Sequence, residues 1–110
     1  MVRQLRIYEI FDDTREAFHE RFRDHAARIM ASYGFTIVAA WESETDGHPE
    51  FVYLLEWPDE ATMADRWAAF RADEEWARIK RETAARHGEM VGAIQDRVLT
   101  AVDYVPSTSS

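Results

Sequence analysis

Residues 35–57 read FTIVAAWESETDGHPEFVYLLEW, and this stretch decides the fold. Phe35 to Glu42 and Phe51 to Trp57 are dense in β-branched and aromatic residues. Between them, Thr45-Asp46-Gly47-His48-Pro49 carries turn residues. The stretch is therefore read as a β-hairpin. Side chains alternate along a strand, so Phe35, Ile37, Ala39 and Trp41 should oppose Val38 and Ala40. Likewise Phe51, Tyr53, Leu55 and Trp57 should oppose Val52 and Leu54. Both faces are apolar. A sheet with one wet face would alternate apolar with polar, and this one does not.

Working outward, Gln4 to Phe11 is a strand carried by Ile7, Tyr8, Ile10 and Phe11, with Leu5, Ile7 and Phe11 on one side and Tyr8 and Ile10 on the other. Asp13 and Glu16 resemble a capping box that opens a helix. Phe18, Phe22, His25, Ile29 and Tyr33 then recur at helical spacing, and Gly34 ends the helix. After Pro58, Asp59 can cap a second helix with Met63, Trp67 and Phe70 on one face. Ala72-Asp73 breaks it, and a segment with Trp76, Ile79 and Thr83 on one side continues to Gly88. Residues 92–102 supply a last strand. The order is β-α-β-β-α-β with the second helix broken in two, which is an α+β, ferredoxin-like fold with an antiparallel sheet. Residues 1–106 make one domain and 107–110 a flexible tail. The helices can cover one sheet face, so the other is expected to meet a second copy, giving a homodimer.

The chain has 110 residues, no cysteine and a formal charge of −8. No disulfide or thiolate chemistry is available. So acidic a chain has no general attraction to nucleic acid or anionic lipid, and neither is expected as a partner. No stretch is long enough to span a membrane, and Met1 to Gln4 runs into a strand without a signal-peptide pattern, which makes a cytoplasmic location the expectation. His19, His25, His48 and His87 lack metal-ligand spacing, and no glycine-rich phosphate loop is present. No metal and no other cofactor is expected.

An ordered set of segments resembles the NIPSNAP family: Leu5-Arg6-Ile7-Tyr8, Gly34-Phe35, Trp41, Tyr53-Leu54-Leu55-Glu56-Trp57-Pro58-Asp59, residues 66–73, Glu75-Trp76, and Asp103-Tyr104-Val105-Pro106. The resemblance covers residues 4–106. Asp12-Asp13 stands where the family often has Pro-Gly, and Glu74 where Asp-Pro is common; both departures sit in turns. The resemblance implies a dimeric α+β barrel, two sheets face to face with the helices outside. The wider superfamily includes cofactor-free quinone-forming and haem-degrading monooxygenases, which hold substrate between helices and sheet. That implies where a site lies, and not which reaction it runs.

Three residues are candidate catalytic groups: His25, Arg6 and Tyr8. His25 sits on the apolar stripe of the first helix and should face the sheet, either as a core histidine or as a general base or polar anchor. Arg6 and Tyr8 share a strand face. An inward arginine needs an anion, either a carboxylate such as Glu56 or a substrate carboxylate, enolate or phenolate. Tyr53, Trp41, Trp57, Trp67 and Phe22 are candidate substrate-binding residues, each also readable as core. Three functions remain open. One is a binder of a small aromatic or polyketide-like ligand, or a cofactor-independent enzyme acting on one by proton transfer, cyclisation or monooxygenation. The second is a non-enzymatic dimeric scaffold. The third is a haem-degrading protein with His25 as axial ligand.

Overall fold

The hairpin forms with a tighter turn than the sequence suggests. The structure is a computed structural model that describes residues 1–106; the tail at 107–110 lies outside the described residues. Four strands, β1 (Val2–Ile10), β2 (Thr36–Thr45), β3 (His48–Trp57) and β4 (Val91–Leu99), make one sheet in the order β2-β3-β1-β4. Every neighbouring pair is antiparallel. β2 returns as β3 through Asp46 and Gly47 alone, both at positive φ (53° and 79°). That is the backbone a two-residue hairpin turn requires, so His48 and Pro49 belong to the strand and not to a loop.

Three helices follow the expected order. α1 covers residues 15–32, as α-helix Arg15–Arg21, a π-helical stretch Phe22–Ala26 and α-helix Ala27–Ser32. The anticipated capping box is absent: a 3₁₀ turn, Asp12–Thr14, leads in, and no side chain caps the helix start. α2 is Glu60–Arg71 and α3 is Glu74–His87. Asp59 caps α2 by accepting from Thr62 N–H at 2.7 Å, as anticipated. Asp73 ends one helix and starts the next, because its carboxylate caps α3 through Trp76 N–H at 2.7 Å.

The core lies between the helices and one sheet face. Phe18, Ile29 and Met30 of α1, Trp67 and Phe70 of α2, and Trp76 and Ile79 of α3 pack on Ile10, Phe51, Tyr53, Leu55 and Trp57. On β1 the inward set also includes Gln4, Arg6 and Tyr8. The alternation expected for β2 does not hold. Ile37 pairs with Leu55, but Ala39 pairs with Leu54 and Trp41 with Val52, with a register shift between Ile37 and Ala39. A bulge there moves Ala39 and Trp41 to the face away from the helices. That face then carries Leu5, Ile7, Val52, Leu54, Ala39 and Trp41 side by side, with Trp41 51% exposed. The sheet is thus apolar front and back, as the strand sequences require.

Candidate functional site

A buried polar network runs across the centre of the sheet, and its residues come from distant parts of the chain. Gln4 is 2% exposed. Its Oε1 accepts from two indoles, Trp57 Nε1 at 3.0 Å and Trp67 Nε1 at 2.7 Å. Those two donors fix the orientation of the amide, since the reverse would set its NH₂ against two N–H groups. Gln4 Nε2 then donates to Asp96 on β4, at 3.0 and 3.1 Å. Asp96 also accepts from Arg6 Nη1 at 3.0 Å. Arg6 therefore takes a carboxylate directly opposite it in the β1–β4 register, and not Glu56, which pairs with Arg3 at 3.6 Å.

From Arg6 the network continues to two phenols. Arg6 Nη2 donates to Tyr8 Oη at 3.1 Å, and the Tyr8 and Tyr53 oxygens are 2.6 Å apart. Tyr53 is fully buried. If Tyr8 donated to it, the Tyr53 hydroxyl hydrogen would be left without an acceptor among the described residues. The satisfied arrangement has Tyr53 donating to Tyr8. Tyr8 then accepts twice, and its own O–H is free for another acceptor. Burial, and after it the neighbouring Tyr8, push Tyr53 well above the usual phenol range, so Tyr53 stays protonated and keeps donating. Burial opposes the Arg6 charge, but Tyr8 and Tyr53 outweigh it and raise its pKa further. Arg6 is a permanent cation, with its guanidinium 4.4 Å above the Trp67 ring.

Arg6 and Tyr8 lie on the floor of a cavity of about 800 Å³ between the β1–β4 half of the sheet and all three helices. Its walls are Phe18, Phe22, Trp67, Phe70, Trp76 and Met90. Ala26 on α1 and Ala77 and Ala84 on α3 also line it, and their short side chains leave the space open. Among the described residues no cluster of His, Asp and Glu could hold a metal ion, and no helix is long and apolar enough to cross a membrane.

The structure gathers half of the residues singled out in the sequence. Arg6, Tyr8, Phe22 and Trp67 line the cavity, and Tyr53 lies directly behind Tyr8. Trp57 is buried beneath, spent on Gln4 and the core. Trp41 is on the opposite sheet face. His25 does not face the sheet. It lies in a separate groove of about 370 Å³ between α1 and α3, among Glu20, Arg21, Glu82 and Thr83. The reason is the π-helical stretch, which alters the helical phase so that Ala26, and not His25, continues the buried stripe into Ile29 and Met30. Sequence reasoning missed Gln4, Asp96, Arg21, Arg71, Lys80 and Arg81. The last two carried a readable signal: Ala77, Lys80/Arg81 and Ala84 recur at helical spacing, small residues alternating with long cations on one face.

A ferredoxin-like α+β fold is a class that several solved structures share. A family model, NIPSNAP, matches residues 3–106, and the chain belongs to that family. A NIPSNAP-like domain protein from Burkholderia xenovorans superposes with a TM-score of 0.79 at 18% identity, over 96% of this chain and 89% of that one. A NIPSNAP family protein from Agrobacterium tumefaciens gives a TM-score of 0.80 at 14% identity, over 96% of both chains. An antibiotic biosynthesis monooxygenase gives 0.58 at 18% identity, over 93% of this chain and 99% of that one. A comparison with curated proteins finds no match. Identities this low carry the fold alone.

Proposed function

We propose that the protein is a homodimer that binds a small aromatic or polyketide-like molecule in the cavity between its helices and sheet. The observation that carries this reading is the cavity itself: about 800 Å³, walled by aromatic rings, with Tyr8 and Arg6 on its floor. That volume and lining suit a small organic ligand. Tyr8 supplies a free O–H, and the oxygen it leaves on donating its proton keeps both its donors, Tyr53 and Arg6. Such a group protonates a carbonyl or enolate carbon framework without a cofactor, a step useful in cyclisation and in oxygenation of electron-rich rings. The acid–base role then belongs to Tyr8, because His25 opens into a different groove. The haem reading loses its ligand for the same reason.

The dimer rests on the apolar face centred on Leu54 and Val52, which a second copy would cover by two-fold symmetry. Titration with naphthyl ketones, phenols and acids, followed through Trp67 and Trp76 fluorescence, tests the ligand reading. Saturable quenching is expected, weakened roughly fivefold by Tyr8→Phe, the loss of one neutral hydrogen bond. No response from any of them at millimolar concentration removes the reading. Sedimentation tests the dimer: the protein should run as two subunits and Leu54→Asp as one.

A further inference from the structure

The cavity is lined by cations in a chain that is otherwise strongly acidic. Arg6, Arg21, Arg71, Lys80 and Arg81 all border it, against one carboxylate, Glu89, while the chain as a whole carries −8. Outside the cavity, five of the eight basic residues are tied to acids, Arg3 to Glu56, Arg15 to Asp12, Arg23 to Asp24, Arg28 to Glu75 and Arg78 to Glu82, whereas Arg66, Arg86 and Arg97 have no ion pair among the described residues. Of the cavity cations, only Arg6 has an ion pair among the described residues. Arg21, Arg71 and Lys80 rest on aromatic rings or on a neutral hydroxyl, and Arg81 is exposed. Arg71 shares the Trp67 ring with Arg6, and Arg21 shares the Trp76 ring with Lys80. Arg21 donates to Thr83 Oγ1 at 2.9 Å. Helix dipoles account for one of these charges at most. Arg71 sits in the last turn of α2, but Lys80 and Arg81 are mid-helix in α3 and Arg21 is mid-way along α1.

A half-buried guanidinium without a counter-ion is costly, and burial lowers the Arg21 pKa with only Glu89 and Tyr8 acting against it. Placed together around an apolar space, such groups set a positive potential where an anion gains most. The walls select what that anion is attached to. Trp67, Phe70, Trp76 and Phe22 line the space. No helix N-terminus with free N–H groups borders it to favour a bare phosphate, since Asp73 occupies that of α3 and Asp59 that of α2.

We propose that the natural ligand is an aromatic carboxylate, its ring held against the Trp67 and Trp76 walls and its charge met by Arg21, Lys80 and Arg81. This rests on the ligand reading above and narrows it from aromatic molecules in general to aromatic acids. The planar guanidinium of Arg21 matches a carboxylate, and the two exposed cations of α3 draw it to the mouth.

The experiment compares 2-naphthoate with 2-naphthalenemethanol, which has the same ring system and no charge, by isothermal calorimetry and tryptophan fluorescence at low and high salt. The acid is expected to bind roughly tenfold more tightly at low salt, and the advantage should shrink as salt rises. Lys80→Gln/Arg81→Gln, at two exposed positions that the fold does not need, should remove most of that advantage and leave the alcohol's affinity unchanged. Arg78→Gln, on the same helix but outside the cavity, should alter neither. Equal affinity for acid and alcohol overturns the proposal while leaving an aromatic pocket in place. An acid preference that survives Lys80→Gln/Arg81→Gln, or that Arg78→Gln removes as effectively, also overturns it. Binding of neither compound removes the pocket reading and the proposal together.

Discussion

Replacing Gln4 by leucine tests whether the buried polar network holds the sheet to the helices. The two side chains are close in volume, so packing changes little. What changes is the hydrogen bonding. Trp57 Nε1 and Trp67 Nε1 lose their shared acceptor, and Asp96 loses a donor. Trp57 and Trp67 are 1% and 5% exposed, so water cannot take Gln4's place without opening the core. Each stranded indole N–H costs ~1–3 kcal/mol, and Asp96, partly in solvent, adds little. Leucine returns ~1 kcal/mol through apolar burial, leaving a net loss of about 3 kcal/mol. That is a large share of the ~5–15 kcal/mol by which a domain is stable. Urea unfolding at one fixed protein concentration measures it, since association would otherwise shift the midpoint. Trp67→Phe removes one of the two donors, so Gln4→Leu should cost ~1–3 kcal/mol less in that background than in the parent chain. A loss below ~1 kcal/mol, or equal losses in the two backgrounds, would refute the reasoning.

The two phenols should respond unequally to deletion. Tyr8→Phe leaves the Tyr53 hydroxyl buried without its acceptor and should cost ~1–3 kcal/mol, whereas Tyr53→Phe removes both the hydroxyl and its need and should cost under about 1.5 kcal/mol; equal costs would contradict the assigned direction of that bond. In an alkaline ultraviolet titration Tyr53 should ionise last among the tyrosines, and because its folded pKa is raised, its contribution is fully present below about pH 10 and is lost as the pH climbs beyond that, a limb that Tyr53→Phe should flatten. Asp73 behaves in the opposite sense. The Tyr33 hydroxyl, at 2.6 Å, and then the Trp76 N–H hold its carboxyl below the usual range, so its contribution is present above about pH 4 and is lost as the pH falls through the depressed value. Thermal melts across the acid range should show that limb flattened by Asp73→Asn, which keeps the cap, and overall stability lowered by ~1 kcal/mol in Asp73→Ala, which does not.

The elements were legible because local chemistry marks their ends. Gly34 at φ 83° stops α1, Asp59 starts α2, and Asp73 starts α3, each a residue whose type states its job. What the sequence hid is what regular counting assumes. Counting by twos along β2 fails at the bulge beside Val38, which no glycine or proline announces, and so Trp41 was assigned to the wrong side. Counting by 3.6 along α1 fails across Phe22–Ala26, and so His25 was turned toward the sheet. Gln4 was passed over for a different reason. A glutamine in a strand reads as surface, and the two indoles that bury it lie 53 and 63 residues away. Asp96 is 90 residues from the arginine it neutralises, and nothing in its own neighbourhood points inward. Tyr8 and Arg6 are legible because alternation along β1 sets them on one face together with Ile10.

The position of the cavity follows from which strand the helices fail to cover. β3 and the start of β1 carry large inward side chains, Phe51, Tyr53, Leu55 and Trp57 beside Gln4, and the helices pack tightly on them. β4 offers Ile94, Asp96 and Val98 on the same face, and it is exposed almost throughout. An exposed Ile94 at the sheet edge would favour closure by a helix. Closure there is opposed from α3, whose facing positions are Ala77 and Ala84, too short to reach, and Lys80 and Arg81, too costly to bury. Filling the space would require desolvating those charges together with Arg21, and the apolar area gained cannot offset several unpaired cations in one site. The cavity is therefore not a packing defect that a slight collapse could repair. It stays open because the same cations that would welcome an anion prevent the protein from folding onto itself there.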